Sequence, residues 1–553
     1  MKKLSTSIYI VLLSLSILSC NKGFLDREPL TSYSDATVWG DINLVKAYVN
    51  DLYTVLPDGG GVRALLLSPA CDEGFNKFDY NGVRSIINAG ALTPDNIGSF
   101  DVWKNTYSQI QKQNIFIGRI GEVPGDATDI NLLKGQVHYL RAYSYFTLTR
   151  DYGGVPLITK QVKLDDNFDI PRASFEECLD FMIAELDEAA TLLSAGYTAE
   201  EDKGRITAAA ALALKSRILL YAASPLWNPT NDLAKWEKAS KAAKAVIDLP
   251  GYHLIQSNES PYPQIFSTNF NAEIIFSRAN NQDYGYHIFD TWLSPNSYHG
   301  WAVHVPTQNL VDAFNMANGK MIDEAGSGYN PQDPYAGRDP RFYADIVYDG
   351  RGYRRSGDLE YRGASGNVAE FFEGGLDSDA GLEEWNNSLT RYTFRKYCDT
   401  TFNMAAINQS NQPWIISRLA EIYLNYAEAE YHLGHQDVTR EYINLVRARA
   451  GVTTIPVATK DAELLKRIYN ERQVELCLEG HRYYDVRRWK IAEITENKPV
   501  RQVIITRLPD GSRKFVYQDL ENRVFHAPQN YLLPIPLYEL QRTTSLTQNP
   551  GYN

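Results

Sequence analysis

The sequence predicts a mostly α protein of paired helices, into which a loop-rich, mixed region with short β-hairpins is set. Three observations carry this. Apolar residues recur at three- and four-residue spacing through long stretches near both ends of the chain. Residues 207–249 and 414–450 each read as two helices joined by a turn, with Ala at the positions where helices touch. Between them, 250–413 has little periodicity and is rich in Gly, Asn, Asp, Tyr and Trp. Loops this long inside a compact protein are usually functional.

In order along the chain, Val38, Ile42, Val45, Val49 and Leu52 place a helix in 35–55. Helices follow over 100–120 and 130–150. The second is apolar nearly all round, with Leu133, Val137 and Leu140 on one face and Tyr139, Tyr143 and Phe146 on another, so it should be central to a core. Gly153, Gly154 and Pro156 stop it. Ser174 is an N-cap for a helix through 193, with Glu177 completing a capping box. Helices over 207–223 and 234–249 form one pair, and 414–433 with 437–450 form another. Pairs of this size resemble tetratricopeptide units, which bury their apolar faces by stacking on neighbours. In 250–413, residues 273–277 and 343–348 are strand-like, and Pro509-Asp510-Gly511 marks a hairpin between 503–507 and 514–517.

The first residues read as a targeting segment. Lys2 and Lys3 precede an apolar run over 8–18, too short to span a bilayer comfortably, which ends at Ser19-Cys20. A small residue before Cys resembles a bacterial lipobox, in which the Cys is acylated and becomes the first residue of the mature chain. An ordinary secretory signal is the other reading. Acyl chains would anchor the body, since each buried CH₂ contributes about 0.8 kcal/mol. The expected organisation is thus a signal peptide over 1–19, a tether over 20–34 anchored at Cys20, and one body over 35–553. Its parts 35–249 and 414–553 would be helical scaffold and 250–413 a ligand-binding region. Four further cysteines, Cys71, Cys178, Cys398 and Cys477, show no close spacing, so disulfides and buried thiols both remain open. The net charge of −12 comes with no basic stripe, which argues against nucleic acid.

Little in the sequence suggests catalysis. HExxH, GxSxG, Walker and GxGxxG patterns are absent. His432 and His435 flank Gly434 and read as a turn, and 165–169 lacks calcium-loop spacing, so no metal or cofactor is expected. A carboxylate pair for glycoside hydrolysis is a spatial feature that sequence leaves open. The densest charged stretch is ERQVELCLEGHRYYDVRRW over 471–489. On a helix, Glu475, Glu479 and Arg482, and Asp485 with Arg488, fall three or four apart. Val474, Cys477 and Leu478 would form the apolar side, and Arg447 and Arg449 are available to the same acids. It reads as an internal charged clasp, with His481 packed and hydrogen-bonded rather than acting as a base.

Binding is better supported. A glycan offers apolar C–H faces and hydroxyls, which suit flat aromatics beside polar groups on a preorganised surface. Tyr286, Trp292, Tyr298, His299 and Trp301 supply that mixture within a short aperiodic stretch. Trp227 and Asn228, after the helix end at Ser224-Pro225, could border the same cleft. Trp103 reads as core, while Trp385 and Trp414 could be either.

Several segments together resemble the SusD/RagB family of outer-membrane nutrient-binding lipoproteins. They are Cys20 with FLDREP (24–29), RAYSYF (141–146), YGGVPL (152–157), GRIT (204–207), PTQNLVDAF (306–314), RDPRF (338–342), RLAEIYLNYAEAE (418–430), VRARAG (446–451), the 471–489 stretch, LPIP (533–536) and QNPGY (548–552). The resemblance implies a tetratricopeptide-like α fold and a non-catalytic, lipid-anchored protein facing the cell surface. Such a protein captures oligosaccharides for a SusC-like TonB-dependent outer-membrane transporter. It favours Tyr298, His299 and Trp301 as ligand contacts and adds Asp72 and Glu73 from the early loop. A peptide-capturing member of the family is the alternative, and an exported glycoside hydrolase the rival from another class. In one departure, Asn21-Lys22-Gly23 follows the Cys where acidic residues commonly signal surface display.

Overall fold

The computed structural model describes residues 35–57, 65–79, 81–197, 199–256, 262–280, 289–353, 368–379, 381, 383–400 and 412–552. The signal peptide, Cys20, the tether and Tyr286 lie outside the described residues.

The scaffold is a run of helices, most of them packed on the next. After α1 (Asp35–Trp39) and α2 (Ile42–Leu52) come α3 (Trp103–Arg119), α4 (Ala127–Tyr152), α5 (Phe175–Leu192), α6 (Ala208–Ala223) and α7 (Leu233–Ile247). The last group is α8 (Leu419–His432), α9 (Gln436–Arg449), α10 (Asp461–Glu475) and α11 (Arg482–Arg488). Local chemistry sets the helix starts. Ser174 and Glu177 form the capping box of α5, and Thr207 caps α6. As the pattern predicts, α4 is buried on most sides and packs against α2, α3 and α5. α7 packs on α6 and also on α8, although some 170 residues separate them. The loop-rich part therefore leaves the stack after α7 and returns at α8 without interrupting it, because Ala239, Ala243, Ala420 and Ala427 let these helices approach closely. This is the expected mostly α, tetratricopeptide-like architecture. No helix among the described residues is long and apolar enough to cross a membrane.

The strands are short and paired two by two, all antiparallel. β1 (Gly74–Asn76) pairs with β3 (His304–Pro306), β2 (Ile274–Arg278) with β6 (Trp414–Arg418), β4 (Ile346–Val347) with β5 (Thr393–Phe394), and β7 (Val500–Arg507) with β8 (Arg513–Glu521). β7 and β8 form the expected hairpin. Residues 414–418 correct the reading of 414–433 as one helix. Their apolar, β-branched run is buried on both faces as a strand, and the helix begins only at Leu419. Cys71, Cys178, Cys398 and Cys477 form no disulfide among the described residues.

The 471–489 stretch is not one helix. α10 ends at Glu475, and α11 begins at Arg482. The turn between them carries Leu478 and Gly480 with positive φ, 61° and 78°. The Asp485–Arg488 pair forms at 2.7 Å, but the other acids find partners far away in sequence. Glu475 meets Arg418 at 2.6 Å, Arg341 at 2.8 Å and Arg449. Glu479 meets Arg418 at 2.7 Å and Lys396 at 2.8 Å. Glu471 meets Arg341 at 2.6 Å and Arg447 at 2.9 Å. Glu273, at the head of β2, holds Arg418 at 2.8 Å and Arg449 at 2.7 Å. All these side chains are essentially sealed from solvent. Burial pushes the Glu475 carboxyl up, but Arg449, Arg418, Arg341 and Lys396 outweigh it and hold the group well below its usual range. Glu479 is likewise lowered, by Arg418 and Lys396 against burial.

Removing one member strands buried charge of the other sign. Arg418→Met is expected to cost about 3–5 kcal/mol at pH 7, read by urea denaturation. Because the folded acids are depressed, their contribution is present above the unfolded carboxyl value near 4 and fades as pH falls below it. The gap between Arg418→Met and the parent should therefore narrow in acid.

Candidate functional site

An open aromatic cluster forms where the early loop, the 291–303 loop and the 368–391 loop converge. Its origin is the β1–β3 pairing. Asn76 stands opposite His304, and one residue further the Lys77 N–H donates to Val303 O at 3.2 Å. That register brings Phe78 alongside the Trp301 segment, although more than two hundred residues separate them. Trp385, on a short turn at Glu384–Asn386, completes the group. Its ring lies 6.2 Å from Phe78 and 6.5 Å from Trp301, tilted by 58° and 45°. The two tryptophans are among the most exposed large apolar side chains, at 57% for Trp385 and 42% for Trp301. An open group of rings of this kind suits contact with a ligand rather than core packing.

Buried polar groups tie the two loops together. Asp377 accepts from the Ser297 N–H at 2.7 Å, from its hydroxyl at 2.9 Å, and from the Glu370 N–H at 2.8 Å. Asn296 donates to Glu383 O at 2.8 Å. The Trp301 N–H donates to Thr291 O at 2.7 Å and the Val303 N–H to Trp292 O at 2.8 Å, closing the loop on itself. Gly300 is required there, since a Cβ would lie 2.0 Å from Ser294 O. His299 and Ala302 adopt left-handed backbone, with φ of 62° and 44°. For residues with a Cβ this is strain held by the surrounding contacts.

Polar groups stand at the foot of the rings. Lys77 Nζ donates to Asn387 Oδ1 at 2.5 Å and lies 5.8 Å from the Phe78 centroid. Burial, then the Arg391 cation, lowers its pKa. Arg391 is buried and binds Asp379 at 3.2 Å through Nη2, while its Nε and Nη1 have no hydrogen-bond partner among the described residues. The site thus offers apolar faces and unspent donors side by side.

The expected contacts distribute unevenly. Trp301 is in the cluster. Trp292 is half-buried against the His304 ring, 5.4 Å away, and His299 is half-buried. Tyr298 is 1% exposed and packs edge-on to Tyr353, so it supports the loop from within. Asp72 binds Arg482 through both oxygens, at 2.8 and 2.6 Å. Glu73 is 1% exposed and accepts the Leu478 N–H at 2.9 Å. Both acids fix the 476–482 turn instead of facing the cluster. Trp227 stacks flat on Phe175 at 3.9 Å, and Asn228 bonds Ala223 O, Asp232 O and the Asp232 N–H. These two belong to the α6–α7 junction. Phe78, Lys77, Asn387 and Arg391 were not singled out by sequence, although Phe78 sits in the early loop, and Trp385, left open between core and contact, is an exposed member of the cluster. Among the described residues no cluster of His, Cys, Asp and Glu could hold a metal. His432 stacks on Trp236 at 3.9 Å, and His435 pairs with Glu430 at 2.6 Å.

A family model described as the SusD family matches residues 265–552, more than half of the chain. The chain belongs to the SusD family. A second model, described as starch-binding associating with the outer membrane, matches 24–220. A SusD-like protein of Formosa agariphila, P25, is 24% identical across all of this chain and 99% of its own length. A solved SusD-like protein of Bacteroides fragilis is 32% identical, with a TM-score of 0.80 over 95% of this chain and all of that one. Another from Bacteroides fragilis, described as a SusD-like carbohydrate-binding protein, is 22% identical, with a TM-score of 0.74 over 92% of this chain and all of that one. Segments such as RDPRF, RLAEIYLNYAEAE and the 471–489 stretch, by which the sequence resembles this family, are thereby accounted for as family sequence.

Glu73 gives a test of the supporting layer. Burial raises its pKa from 4.5 to about 8, against the opposing Leu478 N–H. A raised folded value means the group destabilises the fold increasingly as pH climbs from the unfolded value to the folded one. The melting temperature of Glu73→Gln relative to the parent should rise between pH 5 and 8 and level off above. A pH-independent difference would contradict the assignment.

Proposed function

We propose that the protein is a cell-surface, lipid-anchored glycan-binding protein of the outer membrane that captures oligosaccharides and passes them to a SusC-like TonB-dependent transporter. The open Phe78–Trp385–Trp301 cluster carries this reading. Its rings suit the C–H faces of sugar rings, and Lys77, Asn387 and Arg391 suit the hydroxyls. The strained, tied-down loop keeps the rings in place before the ligand arrives, which lowers the entropy cost of binding. The description of the second family model supports both the sugar and the membrane association. Cys20 is the proposed anchor. We assign the protein no catalytic step: Asp379, the acid beside the cluster with a described ion pair, is engaged by Arg391.

Isothermal titration against a panel of starch- and laminarin-type oligosaccharides should show binding to at least one. Trp301→Ala and Trp385→Ala should each weaken it by about 1–3 kcal/mol. Binding of peptides with no response to any glycan would overturn the sugar reading, as would glycan affinity unchanged in both variants. The transporter role predicts co-purification of the anchored protein with a large β-barrel partner in mild detergent, and loss of both membrane retention and co-purification in Cys20→Ala. A barrel-free preparation would exclude a stable complex.

A further inference from the structure

A cavity of about 620 Å³ lies inside the helical scaffold. None of its lining residues belongs to the aromatic cluster. It is walled by α3, α4, α6, β6, residues 54–57 and the turn at 479–481. Its size falls in the range of small-molecule sites. Asn105 and Ser108 of α3 line it and are exposed, which opens it to solvent on that side.

The lining carries polar groups that the fold does not use. His481 lines the cavity and is 7% exposed. Burial and four surrounding arginines, Arg217, Arg472, Arg418 and Arg488, hold it neutral. Gln109 donates to Thr54 Oγ1 at 3.3 Å, but its buried Oε1 accepts nothing described. Arg150 stacks on the Tyr484 ring with its guanidinium carbon 3.8 Å from the centroid, and its buried Nε is unpaired among the described residues. Buried polar atoms without partners are uncommon in native proteins, and two such residues around one cavity, Gln109 and Arg150, call for an explanation.

The charges are also unbalanced. Arg217 in the lining is matched by Glu421 at 2.5 Å, and Glu479 by Arg418 and Lys396. Arg150 has no described carboxylate within ion-pair distance. The neighbouring Asp151 instead accepts the Tyr484 hydroxyl at 3.0 Å. Arg278, also in the lining, donates to Leu56 O at 2.9 Å. What remains is the Arg150 guanidinium, a neutral imidazole and an amide oxygen beside the rings of Tyr143, Tyr221 and Trp414. A guanidinium takes carboxylate, the imidazole and amide take hydroxyls, and the rings take C–H faces.

We propose that this cavity is a second, internal ligand site that takes a carboxylated sugar, a uronic acid unit, with the carboxylate at Arg150 and hydroxyls at His481 and Gln109. The site is separate from the surface cluster and does not depend on it.

The test is isothermal titration of the detergent-solubilised full chain with digalacturonate and with its neutral methyl ester. Digalacturonate should bind the parent and the Trp301→Ala/Trp385→Ala double variant with similar affinity. The ester should bind at least about tenfold more weakly, as should digalacturonate to Arg150→Gln, since hydrogen bonds to a charged group are worth about 1.5–3 kcal/mol. Circular dichroism checks that Arg150→Gln folds. If it does not, Gln109→Leu on the half-buried face of α3 takes its place, with an expected loss of about threefold or more. The proposal is overturned by no digalacturonate binding, by equal binding of acid and ester, by loss in the tryptophan double variant, or by unchanged affinity in the folded cavity variant.

Discussion

The structure depends on one buried ionic cluster, centred on Arg418 and Glu475. Arg418 closes β6 where the chain re-enters the helical stack, Glu273 opens its partner strand β2, and Glu475 closes α10. Three remote segments are thereby pinned at one point. Such a cluster is a poor source of net stability, because desolvating each ion costs about what the pairing returns. Its effect is on arrangement: almost any displacement of β6, α10 or the 340–345 helix would leave a charge buried and unpaired. Arginine suits this use, since its planar fork binds two carboxylates at once, as Arg341 and Arg418 do.

From that cluster a line of contacts runs to the aromatic site. Glu475 and Glu479 fix the ends of the 476–480 turn. The turn's Leu478 N–H binds Glu73, and Arg482 just beyond binds Asp72. Arg523 holds Cys71 O and Gly74 O. Those residues lead directly into β1, whose pairing with β3 sets Phe78 beside Trp301. The charged stretch and the proposed ligand surface, far apart in sequence, are thus mechanically adjacent layers. The same turn also supplies His481 and Glu479 to the wall of the internal cavity.

This explains which features were legible in the sequence. Helices α3 to α7 and α9 show in it because their apolar spacing and caps are local, within one or two turns. Residues 414–418 do not, because the short apolar run Trp414-Ile415-Ile416 suits a buried strand or a buried helical turn equally, and only its pairing with Ile274–Arg278 decides. The 471–489 stretch is visible as a charged clasp, but not its partners: Arg341, Lys396 and Arg418 come from segments that no spacing rule connects to it. The candidate site divides in the same way. Trp301 stands out as an aromatic in an aperiodic loop. Phe78 and Trp385 join it only through a strand register and a loop–loop contact. Asp72 and Glu73 look like surface acids, yet the fold spends both on the turn behind the site.

The loop-rich region also shows how a surface with little regular secondary structure is held rigid. Backbone groups that would pair along a longer sheet are satisfied here by buried carboxylates. Asp377 takes N–H groups from Ser297 and Glu370, Asp349 takes those of Phe371 and Phe372 at 2.9 and 3.2 Å, and Asp290 takes that of Asp399 at 2.9 Å. Each such acid joins two loops through main-chain atoms, so the side chains on the outer face take no part in holding the backbone. Exposed positions such as Trp301 and Trp385 are then free for the proposed ligand. That separation allows the rings to sit on a strained but fixed loop, because the strain at His299 and Ala302 is opposed by contacts that a change of ring would leave intact.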